Sequence, residues 1–196
     1  MKRGVSETLE FSVMRTVTVA GEFLALRVFT IGHSTRTLNE FIALLNIHDV
    51  DILVDVRSFA HSLTNPQFNQ ERIEAEFPRR GIQYAWLGRL GGMRKGLGKQ
   101  SKNTCWKSRA FRNYADYMET PEFRQGVDEL LQVANDHTVA IMCAEVLYWR
   151  CHRCMIADFL KSKGVQVVHI LGEKQTREHE YNQCAKIRDG VLTYHD

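Results

Sequence analysis

Residues 138–171 read TVAIMCAEVLYWRCHRCMIADFLKSKGVQVVHIL, and this stretch decides the fold. Short runs of Val, Ile and Ala at 138–142 and 165–171 predict two buried strands. Between them, apolar residues at helical spacing predict a helix over 152–163, which Gly164 ends with a left-handed stop. A strand, a helix and a second strand in this order predict a parallel crossover.

The loop after the first of these strands concentrates reactive side chains. Within eleven positions it carries Cys143, Glu145, Cys151, His152 and Arg153. Ligands of parallel sheets bind at the carboxyl ends of the strands, which is where a loop following a strand lies. We therefore predict the active site at this loop.

Strands and helices continue on the amino-terminal side of this unit. Thr37 and Glu40 form a capping-box pattern at the start of a helix. The further predicted elements are buried strands at 28–31, 51–56 and 82–87 and helices at 69–77, 108–118 and 121–135. This order predicts a three-layer α/β/α fold with a mostly parallel, doubly wound sheet of about five strands.

The loops of several strands are expected to meet in one crevice. With the predicted strands in the order 3-2-1-4-5, the loops after the first and fourth strands flank the switch point of the sheet. Gly32, His33 and Ser34 follow the first strand and would then face the cysteine loop. Arg57, from the neighbouring strand end, would join them. Backbone amides at Gly32–Ser34 are also suited to an anion, although a tight turn explains the glycine equally well.

Composition is that of one globular domain. The chain has 196 residues, of which 44% are hydrophobic and 25% charged. We expect a poorly patterned lead-in over 1–27, with a possible hairpin around Gly21, and a single α/β domain over 28–196. No apolar run is long enough for a membrane span and no signal-peptide core follows Met1, so we predict a cytoplasmic protein.

Five cysteines, an odd number, argue against a secreted disulfide framework. Three of them crowd into the loop and the helix start of the central unit, which is typical of reduced thiols in a cytosolic protein. Cys105 and Cys184 stand alone in the sequence, and we expect both to be small buried residues without a chemical role.

Positive charge is concentrated in one segment. Residues 79–112 carry ten Lys and Arg side chains and no acidic one, whereas the remaining residues carry 16 basic and 23 acidic side chains. The loop at about 88–107 contains five glycines and has no clear periodicity. Arg94, Lys95 and Trp106 in this loop combine cations with an aromatic ring, which nucleic-acid binding requires, but an exposed, solvated loop is the plainer interpretation.

Several motifs resemble the domain of unknown function 488 family. They are Ile31-Gly-His-Ser34, Asp55-Val-Arg57, Asn65-Pro-Gln-Phe68, Leu90-Gly-Gly92, Tyr114-Ala-Asp-Tyr-Met118, Cys143-Ala-Glu145 and Cys151-His-Arg153. The resemblance covers about residues 31–169 and implies an α/β fold. It also marks the polar residues of these motifs as the family's signature, but it implies no particular reaction. Rhodanese-like sulfur transferases are similar at the level of fold alone.

Two cysteines of the loop are candidate nucleophiles. Cys151 precedes a helix, whose free N–H groups favour a thiolate, and His152 and Arg153 add positive charge. Cys143 is the alternative nucleophile, with Cys151 as the resolving thiol. Glu145 is a candidate for proton transfer or for a salt bridge. A lone cysteine is more often a buried apolar residue, but this cluster favours a function.

A zinc site is the weaker interpretation of the same loop. Its ligands would be Cys143, Cys151, His152 and Cys154, but only one Cys-x-x-Cys pair is present and its second cysteine is predicted on the helix. We therefore predict no metal and no other cofactor.

The sequence favours a small enzyme that acts on an anionic substrate through a crevice of Cys, His, Glu and Arg side chains. In this hypothesis Cys143 or Cys151 is the nucleophile, His152 or Glu145 transfers protons, and Arg57 and Arg153 bind the anion. The alternative is a nucleic-acid-binding or base-excision-like protein with structural cysteines, in which the basic loop grips phosphates. A pure interaction module is the third hypothesis.

Overall fold

The computed structural model describes residues 26–196 and the backbone of residues 16–17 and 23–24. The strands in this part are β1 Thr16–Val17, β2 Phe23–Leu24, β3 Arg27–Gly32, β4 Ile52–Asp55, β5 Gln83–Trp86, β6 Val139–Cys143, β7 Gln166–Gly172, β8 Gln175–Glu178, β9 Lys186–Arg188 and β10 Val191–Thr193. The helices are α1 Leu38–Asn46, α2 Gln70–Glu76, α3 Arg109–Met118, α4 Pro121–Asp136 and α5 Arg153–Ser162. The predicted helices are thus confirmed to within one or two residues.

Local signals in the sequence act where they were expected. Thr37 caps α1, accepting a hydrogen bond from the Glu40 amide while the Glu40 carboxylate accepts one from the Thr37 amide. Thr120 caps α4 ahead of Pro121. Gly164 has a positive φ of 81° directly after α5, the left-handed stop that a residue with a Cβ disfavours.

The central sheet has six strands in the order β5-β4-β6-β3-β7-β8. The first five run parallel and β8 pairs antiparallel with β7. The predicted class, a mostly parallel sheet in an α/β/α fold, is confirmed. The predicted order was wrong, because β6 lies between β4 and β3 instead of outside β3. Both β3 and β6 are continuous apolar runs, and such runs specify burial on both faces but not a neighbour.

Helices cover both faces of the sheet. On one face, Phe41 of α1 and Ile73 of α2 pack against the Ile31 side of the strands. On the other face, Tyr114 of α3, Leu130 of α4 and further apolar residues of α5 form the larger part of the core. The sheet is therefore buried on both sides, and only its strand ends and the loops that follow them are open to a ligand.

The amino-terminal stretch is described only in part. β1 and β2 pair antiparallel, with Thr16 opposite Leu24. This pair falls within the two arms of the predicted hairpin, whereas Gly21 and most of the predicted lead-in over 1–27 lie outside the described residues. Within the part that is described, no helix combines the length and the apolar character needed to cross a membrane.

A disulfide joins Cys105 to Cys184, two cysteines separated by 79 positions. The expectation that Cys105 and Cys184 are separate, small buried residues was therefore wrong, because the fold brings together two residues that stand alone in the sequence. Cys143, Cys151 and Cys154 are free thiols. The bridge ties the basic segment to the carboxyl-terminal region, which ends in the antiparallel pair β9 and β10.

Candidate active site

The carboxyl ends of β3, β4 and β6 lie side by side and converge on one crevice. In the sheet Gly32 is paired with Cys143. Beyond the strand ends, the His33 amide donates to the Cys143 carbonyl at 2.9 Å and the Ser34 amide to the Ala144 carbonyl at 2.9 Å. A Cβ on Gly32 would lie 2.0 Å from the Glu145 carbonyl oxygen, so glycine is required for this close approach. The loop after β3 therefore meets the cysteine loop as predicted, but Gly32, His33 and Ser34 are not among the residues that line the crevice itself.

A cavity of about 440 Å³ opens at these loops. Its lining includes, from the predicted site, Cys143, Glu145, Cys151, His152 and Arg57. Three separate segments of the chain therefore contribute to it, those after β4 and β6 and the basic segment with the start of α3. A cavity of this size can bury a small molecule.

Cys151 and His152 form the reactive pair of the crevice. The Cys151 side chain is 5% exposed, and its sulfur lies 3.5 Å from His152 Nδ1. His152 Nε2 lies 2.9 Å from the Val56 carbonyl oxygen, which can only accept a hydrogen bond. Nε2 therefore carries a hydrogen, and Nδ1 is the ring nitrogen that faces the Cys151 sulfur. The Tyr114 ring packs edge-on against the imidazole and holds it in place.

The pKa of the Cys151 thiol is held well below its ordinary value. The hydrogen bond from the Cys143 thiol is the largest cause, and the positive charges of His152 and Arg153 add to it against the opposing effect of burial. Arg153 Nε donates to the Cys151 sulfur at 3.5 Å. Cys151 also lies two positions before Arg153, the first residue of α5, where the helix dipole favours an anion.

Cys143 is the complementary thiol. Its hydrogen bond to Cys151 and its burial raise its pKa well above the ordinary value, so that Cys143 keeps its proton while Cys151 loses one. The donor atoms of Cys143, Cys151 and His152 all lie within 4.8 Å of one another. Cys154 is not part of this group, and burial raises the pKa of its thiol. The set of four zinc ligands weighed from the sequence is therefore not assembled.

Glu145 lies at the edge of the crevice and is exposed. Its carboxylate accepts a hydrogen bond from the Leu147 amide at 3.1 Å. Its backbone carbonyl is bound by the Arg153 guanidinium, which also reaches the Val146 carbonyl at 3.4 Å. Arg153 is 1% exposed, so it braces the cysteine loop from within instead of presenting its charge to solvent.

His33 and Arg57 are buried beneath the crevice and bind each other. Arg57 forms an ion pair with Asp55 at 2.5 Å and donates to the Phe68 carbonyl at 2.7 Å. Its Nη1 lies 3.3 Å from His33 Nε2, while His33 Nδ1 donates to the Ser34 carbonyl at 2.8 Å. Burial, aided by the charge of Arg57, lowers the pKa of His33 to about 4. The hydrogen-bonding groups of both side chains are therefore used within the protein.

The basic segment is folded, with short 3-10 turns at Gly88–Leu90 and Gly98–Gln100. Arg94 donates to the carbonyls of Gly88, Arg89 and Gly91 at 2.6–2.9 Å and lies over the Tyr117 ring. Trp106 stacks on Phe111 with ring centres 4.8 Å apart. Lys95 is exposed and is not among the residues that line the crevice. Arg94 and Trp106 therefore stabilise the segment itself.

Sequence reasoning missed several residues of the crevice wall, among them Phe59, Met93, Phe111, His61 and Arg150. The side chains of Phe59 and Met93 are 67% and 73% exposed, and together they give the mouth an apolar lip. Arg150 is exposed in the loop before Cys151, and its guanidinium forms no hydrogen bond or ion pair with any residue in the described part of the chain. An apolar residue just after the Asp-Val-Arg strand end was the available signal for Phe59.

Comparison with known proteins gives a family match. A family model described as "Domain of unknown function DUF488" matches residues 37–160. This range holds the strand ends of β4 and β6, the basic segment and the complete cysteine loop. No curated protein matches the chain, and no solved structure does.

Proposed function

Because the chain belongs to the DUF488 family, whose function is unknown, we propose its function from the crevice itself: it is an enzyme that uses the Cys151 thiolate as a nucleophile on a small anionic substrate. The hypothesis made from the sequence left the nucleophile open between Cys143 and Cys151. The depressed pKa of Cys151 and the raised pKa of Cys143 favour Cys151.

The observation that carries this proposal is the alignment of three groups. The Val56 carbonyl fixes the hydrogen of His152 on Nε2, and Nδ1 then faces the Cys151 sulfur at 3.5 Å. A nucleophile, a base and a third group that orients the base form the arrangement that activates a thiol. His152 takes the thiol proton as the thiolate forms and returns it to the leaving group.

An exposed positive charge at the mouth of the crevice favours an anionic substrate. Arg57 and Arg153, which were expected to bind the anion, are both occupied within the protein. Arg150 takes over this role in the proposal, because it is exposed beside the thiolate and carries a full positive charge. Glu145, on the same wall, supplies a second proton-transfer group at the rim. The apolar lip of Phe59 and Met93 accommodates the uncharged part of the substrate.

The nucleic-acid hypothesis stays a prediction. Arg94 and Trp106 are engaged in internal contacts, which leaves the exposed lysines of the segment, among them Lys95 and Lys99, to provide its positive surface. The cytoplasmic location of the protein also remains a prediction. The Cys105–Cys184 disulfide counts against it, since cytosolic proteins rarely keep structural disulfides.

The test is the pH dependence of alkylation at each free cysteine of the native protein, followed by peptide mass spectrometry. We expect iodoacetamide to label Cys151 rapidly below neutral pH and to label Cys143 and Cys154 only slowly. The matched variant is Cys154→Ser, which should leave the profile unchanged. Labelling of Cys151 only at the pH of an ordinary thiol, or only after denaturation, would contradict the proposed nucleophile.

A further inference from the structure

Two free thiols face the same cavity, and only one of them is needed as a nucleophile. Cys143 is the last residue of β6 and Cys151 lies just before α5, yet both line the crevice and their sulfurs are within 4.8 Å of each other. The other cysteines are separate from this pair. Cys105 and Cys184 are bonded to each other, and Cys154 does not line the cavity.

We propose that Cys143 is the resolving thiol of a dithiol–disulfide cycle and that the substrates are low-molecular-weight disulfides carrying carboxylates. The inference rests on the proposed function, because it requires Cys151 as the attacking thiolate. It goes further by naming the substrate class and the fate of the enzyme, which ends each reaction with a Cys143–Cys151 disulfide that an external dithiol must reduce before the next turnover.

The first step is attack of the Cys151 thiolate on one sulfur of the substrate disulfide. A bond forms between Cys151 and that sulfur, the substrate S–S bond breaks, and the leaving thiolate takes the proton that His152 holds on Nδ1. The product is a mixed disulfide on Cys151 and one free substrate thiol. Arg153 Nε, which donates to the Cys151 sulfur at 3.5 Å, loses its anionic partner in this step.

The second step uses the neutral His152 as a base toward Cys143. Cys143 gives up its proton and attacks the Cys151 sulfur, and the second substrate thiolate leaves with that proton. The overall change is one substrate disulfide and two protein thiols converted to two substrate thiols and one protein disulfide. A disulfide bond is about 2.0 Å long, so the two sulfurs, which now lie within 4.8 Å of each other, must move closer when the bond forms.

The different surroundings of the two thiols support this order of attack, with Cys151 first and Cys143 second. A thiol that attacks first must be ionised beforehand, whereas the resolving thiol needs to lose its proton only once the mixed disulfide has formed. Arg153 Nε donates to the Cys151 sulfur and Cys151 precedes the start of α5, whereas Cys143 lies at the end of β6 and is hydrogen-bonded to Cys151. Cys151 is therefore the better placed of the two thiols to attack first.

The substrate class follows from the wall of the cavity. Arg150 provides one exposed cation next to Cys151, which suits a carboxylate. Phe59, Met93 and Phe111 provide an apolar surface on the same cavity. The cavity volume of about 440 Å³ suits a small molecule.

The experiment is a stoichiometric reaction of the native protein with dithiobis(nitrobenzoate), an aromatic disulfide with two carboxylates and a coloured product. We expect two nitrothiobenzoate ions to be released per chain, no adduct to remain in the intact mass, and the Cys143–Cys151 peptide pair to appear on mapping. The Cys143→Ser variant should release one ion and keep the adduct on Cys151. Cys154→Ser should behave as the wild type does.

The failures of the two proposals are distinguishable. A wild type that keeps the adduct on Cys151 overturns the resolving role but leaves the nucleophile intact, whereas no reaction at Cys151 with either this reagent or iodoacetamide overturns both. Arg150→Ala should slow the reaction with dithiobis(nitrobenzoate) at least severalfold and leave that with neutral dithiodipyridine unchanged. Equal rates of wild type and variant with both reagents would overturn the carboxylate preference. In the Cys105→Ala/Cys184→Ala variant, which lacks the structural disulfide, the same number of nitrothiobenzoate ions should be released per chain.

Discussion

His152 Nδ1 lies 3.5 Å from the Cys151 sulfur, and the other nitrogen of the same ring is bound to the Val56 carbonyl. Replacing His152 by Gln removes a charge that helps to hold the pKa of Cys151 low. The pH at which Cys151 becomes ionised should therefore rise, and alkylation of Cys151 below neutral pH should slow. The rates of iodoacetamide labelling across a pH series measure this shift.

The control for that measurement is His61→Gln, which changes an exposed histidine that also lines the cavity. This variant should keep the wild-type profile. Identical profiles for His152→Gln and the wild type would show that the pair of Cys151 and His152 does not set the reactivity of the thiol.

Two arginines that line the same crevice should respond differently to alanine. Arg57 is paired with the buried carboxylate of Asp55, and Arg57→Ala leaves that charge without its partner. We expect a loss of roughly 3–5 kcal/mol in the free energy of unfolding. Arg150→Ala removes an exposed cation and should change stability by less than about 0.5 kcal/mol. Urea denaturation of both variants measures the difference, and similar stabilities would contradict the structural role of Arg57.

Much of this fold could be predicted because its signals are local. The helix that follows the cysteine loop, its glycine stop and the cap at Thr37 each depend on residues a few positions apart. The order of β3 and β6 in the sheet depends instead on packing between distant segments. Two apolar runs of similar length do not specify which strand each will pair with. The predicted strand order was therefore wrong, whereas the predicted fold class was confirmed.

The candidate site divides in the same way. Cys143, Cys151 and His152 could be found because a single loop carries them. The engagement of Arg57 with Asp55 was also accessible, since residues two apart in a strand project to the same face. Phe59 had a local signal in its position after the Asp55-Val-Arg57 strand end, but its proximity to Met93 could not be found, because the two residues come from segments that meet only in the folded chain.

Two buried histidines should make stability fall on acidification. Burial, aided by Arg57, lowers the pKa of His33 to about 4, and burial, aided by the neighbouring His179, lowers that of His169 to about 2. The unfolded chain, with ordinary histidines at about 6.5, binds protons first as the pH falls. Stability is therefore complete above about pH 6.5. His33 costs stability between about 6.5 and 4, and His169 continues to do so down to about 2.

His33→Asn isolates one part of this effect. The wild type should lose up to roughly 3 kcal/mol more than the variant between pH 6.5 and 4, because the variant has no proton to bind at that position. Thermal or urea unfolding at several pH values measures how steeply the free energy of unfolding of each protein changes with pH. Parallel slopes for variant and wild type over this range would mean that His33 is protonated in the folded protein.

The disulfide should stabilise the chain without taking part in the crevice chemistry. Cys105→Ala/Cys184→Ala removes a link between residues 79 positions apart. We expect a loss of about 2–4 kcal/mol in the free energy of unfolding. Neither cysteine lines the crevice, so the rate of Cys151 alkylation in the folded variant should equal that of the wild type. A slower rate would link the bridge to the site.

A substitution at Gly92 can disturb the contact between Cys151 and His152 without changing either residue. A Cβ at this position would lie 2.5 Å from His152 Nδ1, the nitrogen that faces the Cys151 sulfur. Gly92→Ala should therefore push the imidazole from its place and reduce thiolate formation, slowing alkylation of Cys151 at neutral pH by severalfold. Gly172→Ala is the matched control, because its Cβ would meet no atom closer than 3.9 Å. Equal alkylation rates for the two variants would show that the position of His152 does not govern the thiol, whereas a slow rate in Gly92→Ala alone would place the control of Cys151 in the geometry of the ring.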